Sequence, residues 1–340
     1  MALLWIEGFE GFGTVIGDPP ITGLLGRKYS VVSQEAALDI EAGRYGGYAL
    51  EFNINSSYLT SIALTTDPTL VVGIAVMFGS IQPLEFLDFY DGTTKGLNLR
   101  LATGGELAVY RGTTLLQQTT GLGLTIGTWY YIEFKVVTDN STGSYEVRLG
   151  GVTQLSDSDV DTEAGTHTYH DIVKFSGGNI SGLLTIDDIY ILDGSGTDAN
   201  TFLGNQCVIA LNPVADTADK DWTPSAGSDN YAMVDEAASN DDTDYVESAT
   251  TDHLDLYDFE DTALVEINGI QINTTCKLTD ASPFTLKQVV KSGTTTDDGA
   301  TESVPSSYGQ LRRIVRLDPD TDVVWTPSGL NAAQFGIEVG

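Results

Sequence analysis

The sequence is poor in basic residues and in cysteine. Its 340 residues include 16 lysines and arginines against 48 aspartates and glutamates, so the formal net charge is −32. A surface of that charge repels phosphate groups, which argues against a protein that binds nucleic acid. Two cysteines, Cys207 and Cys276, are too few for a disulfide framework. We expect two small buried thiols, and a bridge between them is the less favoured alternative.

Long apolar runs are also missing. No run approaches the roughly 20 residues that a membrane-spanning helix requires, and Met1 to Glu7 lack the basic and apolar regions of a signal peptide. We therefore expect no membrane insertion, and synthesis in a cytoplasm. Runs that favour helix are scarce, whereas 37 glycines and abundant Ser, Thr, Asp and Asn suit short strands and tight turns. The composition indicates an all-β protein, and the length indicates more than one domain.

Alternating apolar residues between Leu97 and Leu155 predict two consecutive β-hairpins. In the first hairpin, residues 97–101 and 107–109 alternate on either side of a glycine turn. In the second, the alternating run 129–137 is answered by 145–149 after a turn rich in Asp, Asn, Ser and Gly. The stretch therefore predicts four strands of one antiparallel sandwich.

These strands resemble the laminin-G-like or concanavalin A-like jelly roll. The resemblance is carried by Gly127, Trp129, residues 130–133 and residues 147–151. It implies a jelly-roll sandwich over residues 1–204, with the apolar run 183–192 returning beside the first strand. A second, smaller β-sandwich domain is expected over residues 205–340. Lectins, glycosidases and purely structural modules all share this fold, so the fold alone does not assign a function.

Several segments resemble structural proteins of tailed bacteriophages. They are residues 187–194, 200–204, 221–224, 234–236, 241–246 and 330–339. The resemblance implies a non-enzymatic virion protein of a tail, collar, fibre or head appendage that serves assembly and host-surface attachment. It also implies other virion proteins as partners and a homo-oligomer, commonly a trimer in fibres. A carbohydrate-binding, lectin-like module is the alternative, followed by a glycoside hydrolase.

Paired carboxylates are the feature that a glycoside hydrolase would need. Jelly-roll glycosidases carry two or three of them at alternating positions of one strand, and no such array occurs here. Glu85 and Asp88 come closest, but a spacing of three puts two side chains on opposite faces of a regular strand. We therefore predict no catalytic residues and no enzyme.

Four aromatic residues are candidates for stacking on sugar rings, for example those of a host-cell glycan. They are Trp129, Tyr130, Tyr131 and Tyr110. Alternation along a strand places Trp129 and Tyr131 on one face and Tyr130 on the other. At least one of these two sets is therefore expected in the core.

Three aspartates have the spacing with which a calcium loop begins. Asp157, Asp159 and Asp161 occupy alternate positions, but the glycine and the glutamate that complete such a loop are not at their places. No cofactor is expected apart from Ca²⁺ at these aspartates, and a solvated acidic loop is the favoured alternative. His167 and His170 are expected on the surface, because no further histidine or cysteine lies near them in the sequence.

Overall fold

The computed structural model describes residues 3–13, 20–33, 38–53, 57–177, 184–280 and 282–340. The chain divides into two compact units, Met1–Ile209 and Ala210–Gly340. Within residues 203–208, three backbone N–H groups donate hydrogen bonds to side chains of the first unit. Antiparallel strands build both units, so the prediction of an all-β protein is confirmed.

The first unit is a two-sheet sandwich with one short helix, α1 (Pro20–Leu25). Its strands are β1 (Leu3–Glu7), β2 (Val31–Ser33), β3 (Leu38–Ala42), β4 (Tyr48–Phe52), β5 (Tyr58–Thr60), β6 (Thr69–Phe78), β7 (Leu84–Asp91), β8 (Thr94–Ala102), β9 (Glu106–Arg111), β10 (Thr114–Gln118), β11 (Trp129–Val137), β12 (Gly143–Leu149), β13 (Val152–Val160), β14 (Ile172–Ser176) and β15 (Leu184–Asp193).

The strands form one eight-stranded and one seven-stranded sheet. The eight-stranded sheet has the order β13-β12-β11-β6-β15-β4-β3, and β1 also pairs with β15. The order in the seven-stranded sheet is β10-β9-β8-β7-β14-β5-β2. Both predicted hairpins are present, since β8 pairs with β9 and β11 with β12. The last strand returns beside the first, as the jelly-roll prediction requires.

The core of the first unit lies between the two sheets. Phe89 of β7 stacks on Phe134 of β11 with ring centroids 5.0 Å apart, which joins the sheets at their centre. Strands β6 and β15 are covered on both faces. Their sequences are therefore largely continuous apolar runs, whereas the half-exposed strands alternate.

The second unit is a smaller β-sandwich that carries the short helix α2 (Pro327–Asn331). Its strands are β16 (Pro213–Lys220), β17 (Thr223–Pro224), β18 (Val246–Glu247), β19 (Leu254–Phe259), β20 (Ile270–Cys276), β21 (Thr285–Ser292), β22 (Thr295–Asp298), β23 (Glu302–Ser303), β24 (Gly309–Val315), β25 (Leu317–Asp318), β26 (Val323–Val324) and β27 (Gln334–Val339).

The main sheet of this unit has the order β16-β19-β27-β21-β22, with β23 also paired to β21. The β20-β24 ribbon packs on it: Val315 of β24 shares one core with Val290 and Phe335 of the sheet, and Ile270 and Ile272 of β20 pack against that core. The apolar C-terminal segment is thus a central strand of its own sheet.

Two sequence expectations can be compared with the structure here, the burial of the two cysteines and the lack of a membrane-spanning segment. Cys207 and Cys276 are free thiols, and Cys207 is exposed, so the expectation of a buried thiol is wrong at that position. None of the helices in the described ranges is both long and apolar enough to cross a membrane.

Candidate functional site

Part of the outer face of the eight-stranded sheet, at β11 and β15, is covered by the end of the first unit. There the backbone N–H groups of Leu203, Gly204 and Val208 donate to side chains of the sheet. The acceptors, at 3.0, 2.8 and 2.8 Å, are Tyr190 Oη, Glu133 Oε1 and Asp188 Oδ1. These three side chains are 3%, 1% and 2% exposed, so a ligand cannot reach them.

The outer face of the seven-stranded sheet carries an open row of polar side chains. Tyr110, Asn98, Asp88, Lys174 and Thr60 lie directly opposite one another on β9, β8, β7, β14 and β5. Four inter-strand steps of about 4.8 Å make this row roughly 19 Å long. A row of this length suits an elongated ligand.

We call this surface the polar face and define it by nine residues. They are Tyr58, Glu85, Asp88, Tyr90, Lys95, Asn98, Arg100, Tyr110 and Lys174. Of these, Asp88 and Asn98 are buried, and the others are partly exposed. The polar face therefore has a fixed layer beneath an accessible one.

A β-bulge in β7 puts Glu85 and Asp88 on the same face of the sheet. The register between β7 and β8 shifts between Glu85 and Leu87, where Phe86 is buried in the core. Lys95 lies between the two carboxylates, in a salt bridge to Glu85 and with its Nζ 3.5 Å from Asp88 Oδ2. The prediction that the spacing of three separates the two carboxylates is wrong, because the extra residue of the bulge resets the alternation.

Asp88 and Glu85 have pKa values that are pushed apart. Asp88 is 0% exposed, and burial, reinforced by the charge of Glu85, raises its pKa to about 7. Burial also acts on Glu85, but the hydrogen bond and charge of Lys95 and the charge of Arg100 outweigh it and lower the pKa of Glu85. Neighbouring carboxyls with divergent pKa values are typical of acid–base sites.

The protonation state of Asp88 follows from its surroundings. Within the described part of the chain, neither carboxylate oxygen of Asp88 accepts a hydrogen bond. Once protonated, Asp88 can donate to the carboxylate of Glu85. Below a pH of about 7 the pair therefore holds one proton, and that form satisfies the buried carboxyl.

Arg100 organises the accessible layer beside this pair. Its Nη2 forms a salt bridge of 2.8 Å with Glu85 Oε2, and its Nε donates to Asn98 Oδ1 at 2.6 Å. Asn98 in turn donates to the carbonyl oxygen of Gly112 at 3.0 Å. The guanidinium lies 4.0 Å over the ring of Tyr110. One face of this ring, a predicted stacking surface for sugar, is therefore occupied by Arg100.

Lys174 is a cation of the polar face that has no carboxylate partner among the described residues. Its Nζ lies 3.8 Å over the ring of Tyr58, and its neighbour across the sheet is Asp88. When Asp88 is protonated, the face carries three cationic side chains against the single carboxylate of Glu85. The local charge is then positive although the protein is strongly acidic.

The structure does not bring the four predicted sugar-stacking residues together. Trp129, Tyr130 and Tyr131 lie on β11 of the other sheet from Tyr110. Tyr131 is 3% exposed, and its hydroxyl donates to the carbonyl oxygen of Asp188 at 3.1 Å. Tyr131 therefore has a structural role, and its assignment as a sugar-binding residue is corrected.

The three predicted calcium ligands are also kept apart. Asp157 and Asp159 belong to β13, and Asp161 directly follows that strand, so the predicted loop is largely a strand. Asp159 is the extra residue of a β-bulge in β13, with a φ of 58°, and the side chain of Asp161 pairs with Arg111. Within the described ranges, no group of three His, Cys, Asp or Glu side chains could hold a metal ion.

One of the two neighbouring histidines is buried, contrary to expectation. His170 is 1% exposed, its Nδ1 lies 2.8 Å from Thr138 Oγ1, and burial lowers its pKa to about 4. His167 is on the surface, where its Nδ1 lies 2.6 Å from Asp91 Oδ1. His170 is therefore a neutral core residue.

No protein-family model matches the sequence, and no curated protein matches it. Solved structures with a similar arrangement of strands include an endo-β-1,4-glucuronan lyase from the fungus Trichoderma reesei, at 11% identity and a TM-score of 0.38 over 48% of this chain and 90% of that one. Alginate lyase Aly36B is similar at 14% identity and a TM-score of 0.42, and the match covers 55% of this chain and 95% of the lyase. A sialidase is similar at 11% identity and a TM-score of 0.38, and the match covers 58% of this chain and 19% of the sialidase chain.

Glycan-cleaving enzymes are among these structures, and the prediction that the protein is not an enzyme is withdrawn. That prediction depended on the missing alternating carboxylates, and one catalytic arrangement does not represent all glycan chemistry. The three structures named above are two lyases and a sialidase, and none of them identifies a bacteriophage protein. Their similarity concerns the arrangement of strands, so the site chemistry of this chain must rest on its own residues.

Proposed function

We propose that the protein is carbohydrate-active and that its polar face binds a glycan chain. The observation that carries the proposal is the accessible layer of Glu85, Lys95 and Arg100, fixed from below by Asp88 and Asn98. Ionised groups of this kind form strong, directed hydrogen bonds with adjacent sugar hydroxyls. Because they already hold one another in place, little side-chain freedom is lost on binding.

The same residues supply acid–base chemistry to a bound glycan. Glu85 is the exposed member of the proton-sharing pair, so it is the group that meets the substrate, and Asp88 positions it and stores the proton. Glycosidases that work with two carboxylates need them roughly 5–9.5 Å apart, around the bond to be cleaved. Glu85 and Asp88 instead lie side by side on one strand and share the ammonium group of Lys95. The pair therefore fits a reaction with one proton-transfer group better than a two-carboxylate hydrolysis.

The experiment is to expose the full chain to a panel of bacterial and algal polysaccharides. Binding is measured by affinity electrophoresis, and cleavage by the release of reducing ends and of unsaturated sugar ends. We expect Glu85→Gln to abolish cleavage. Glu146→Gln is the matched control, because Glu146 pairs with Arg148 on the other sheet. If no polysaccharide is bound or cleaved, or if both variants behave alike, the proposal fails.

The bacteriophage assignment is a second proposal, supported by the resemblance of segments such as 187–194 and 330–339 to structural proteins of tailed bacteriophages. In this proposal the protein is a homo-oligomeric virion component that contacts other virion proteins, and a host-surface glycan is its ligand. A labelled antibody against the chain should decorate phage particles in negative-stain images. Particles that are never labelled would rule out a virion location and leave glycan binding untouched.

A further inference from the structure

A polar cavity lies at the edge of the first unit, outside the residues of the polar face. Its volume is about 390 Å³. Its lining includes Gln117, Gln118, Thr119, Thr120, Leu122 and Gln154. We call it the glutamine pocket. Its volume is at the lower end of the range for small-molecule sites, which suits a ligand of one or two sugar rings.

The glutamine pocket lies where each sheet of the sandwich ends. Strand β10 is the terminal strand of the seven-stranded sheet, and β13 is the terminal strand of the eight-stranded sheet. The hydroxyl of Tyr145 on β12 donates to Gln117 Oε1 on β10 at 3.4 Å, which links the two sheets beside the pocket. The pocket therefore opens between two free strand edges.

One wall of the pocket is held rigid by Glu106. Its carboxylate accepts from the backbone N–H groups of Gly121 at 2.8 Å and of Leu122 at 3.1 Å, and from the hydroxyl of Thr119 at 2.5 Å. The Thr119 hydroxyl also accepts from the N–H of Leu107 at 2.9 Å. The carboxylate of Glu106 therefore accepts hydrogen bonds from the turn at Thr119 to Leu122 and does not point at a ligand.

The side chains that line the pocket carry no formal charge, in a protein whose net charge is −32. Across the described residues, neither the carboxamide of Gln118 nor the amide nitrogen of Gln117 has a protein partner. Gln154 donates to the carbonyl oxygen of Val152 at 3.1 Å, which leaves its amide oxygen as an acceptor. Each carboxamide offers both a donor and an acceptor, and the neighbouring hydroxyls of a sugar require that combination. The side chain of Leu122 can meet the C–H face of a ring.

We infer that the glutamine pocket is a binding site for a neutral mono- or disaccharide, independent of the polar face. Charged ligands do not fit, because the lining offers no counter-charge. The inference goes beyond the proposed function, which concerns a longer glycan on the polar face.

The test uses saturation-transfer NMR on the full chain with neutral hexoses, N-acetylhexosamines and their disaccharides as probes. We expect at least one of them to bind, and Gln118→Leu and Gln154→Leu each to weaken binding about tenfold, as expected for the loss of hydrogen bonds to a ligand. Thr114→Val is the control, since Thr114 is exposed on β10 outside the pocket. Gln118 is exposed and Gln154 partly exposed, so these variants are expected to fold.

Two outcomes would overturn the inference. In one, no neutral saccharide binds; in the other, binding survives the combined substitution of Gln118 and Gln154. If Lys95→Met abolishes binding of the saccharide and the glutamine variants do not, the saccharide occupies the polar face. The pocket assignment would then fail while the proposed function stands.

Discussion

Replacing Asp88 with asparagine keeps the shape of a buried side chain and removes its charge. In the folded protein burial raises the pKa of Asp88 from 3.8 to about 7. The stability linked to this group is fully present below pH 3.8 and is lost as the pH rises to about 7, because the unfolded chain releases the proton earlier. Between about pH 5 and pH 8 the stability falls only up to the folded pKa of about 7, which is about two pH units. At 1.36 kcal/mol per unit, the unfolding free energy falls by roughly 3 kcal/mol.

The assay is urea denaturation of both proteins at about pH 5 and pH 8. The unfolding free energy of Asp88→Asn minus that of the parent protein should be roughly 3 kcal/mol larger at about pH 8 than at about pH 5. Asp157→Asn, at an exposed position of β13, is the control and should follow the parent protein. An equal difference between parent and Asp88→Asn at both pH values would refute a buried titrating carboxyl at the centre of the polar face.

Three further predictions concern the first unit. The buried imidazole of His170 should titrate near pH 4 in NMR, and the stability linked to it should be lost as the pH falls from 6.5 towards 4, because the unfolded chain takes up the proton first. Phe134→Ala removes the stacked partner of Phe89 and should lower the unfolding free energy by about 3–5 kcal/mol in urea titrations. Gly73→Ala places a methyl group against the ring of Tyr190, so limited proteolysis should cut residues 203–208 faster than in the parent chain.

Local pattern predicted much of the first sandwich. The hairpins of the 97–155 stretch and the apolar runs of β6 and β15 could be predicted because each depends on the residues of one segment. The sequence predicts a loop at the aspartates of β13, because runs of charged residues are typical of loops. The structure places them on an edge strand, which also tolerates charged side chains.

The polar face could not be predicted, because its geometry depends on strand pairing. The four-residue sequence from Glu85 to Asp88 does not indicate a bulge. The two carboxylates share a face only because pairing with β8 fixes the register of β7. The burial of Tyr131 likewise depends on residues 203–208, which are distant in sequence and cover that face. Contacts between distant segments therefore decide which of the two outer faces is open.

The most direct test of a glycan-binding polar face is a calorimetric titration of one bound polysaccharide into three proteins: the parent chain, Lys95→Met and Lys135→Met. Lys95 bridges Glu85 and Asp88 on the polar face, whereas Lys135 lies on β11 of the other sheet. We predict that Lys95→Met weakens binding at least about tenfold, as expected for the loss of a charged hydrogen-bonding group, and that Lys135→Met binds as the parent does. Equal affinities of the two variants would contradict the assignment of the polar face.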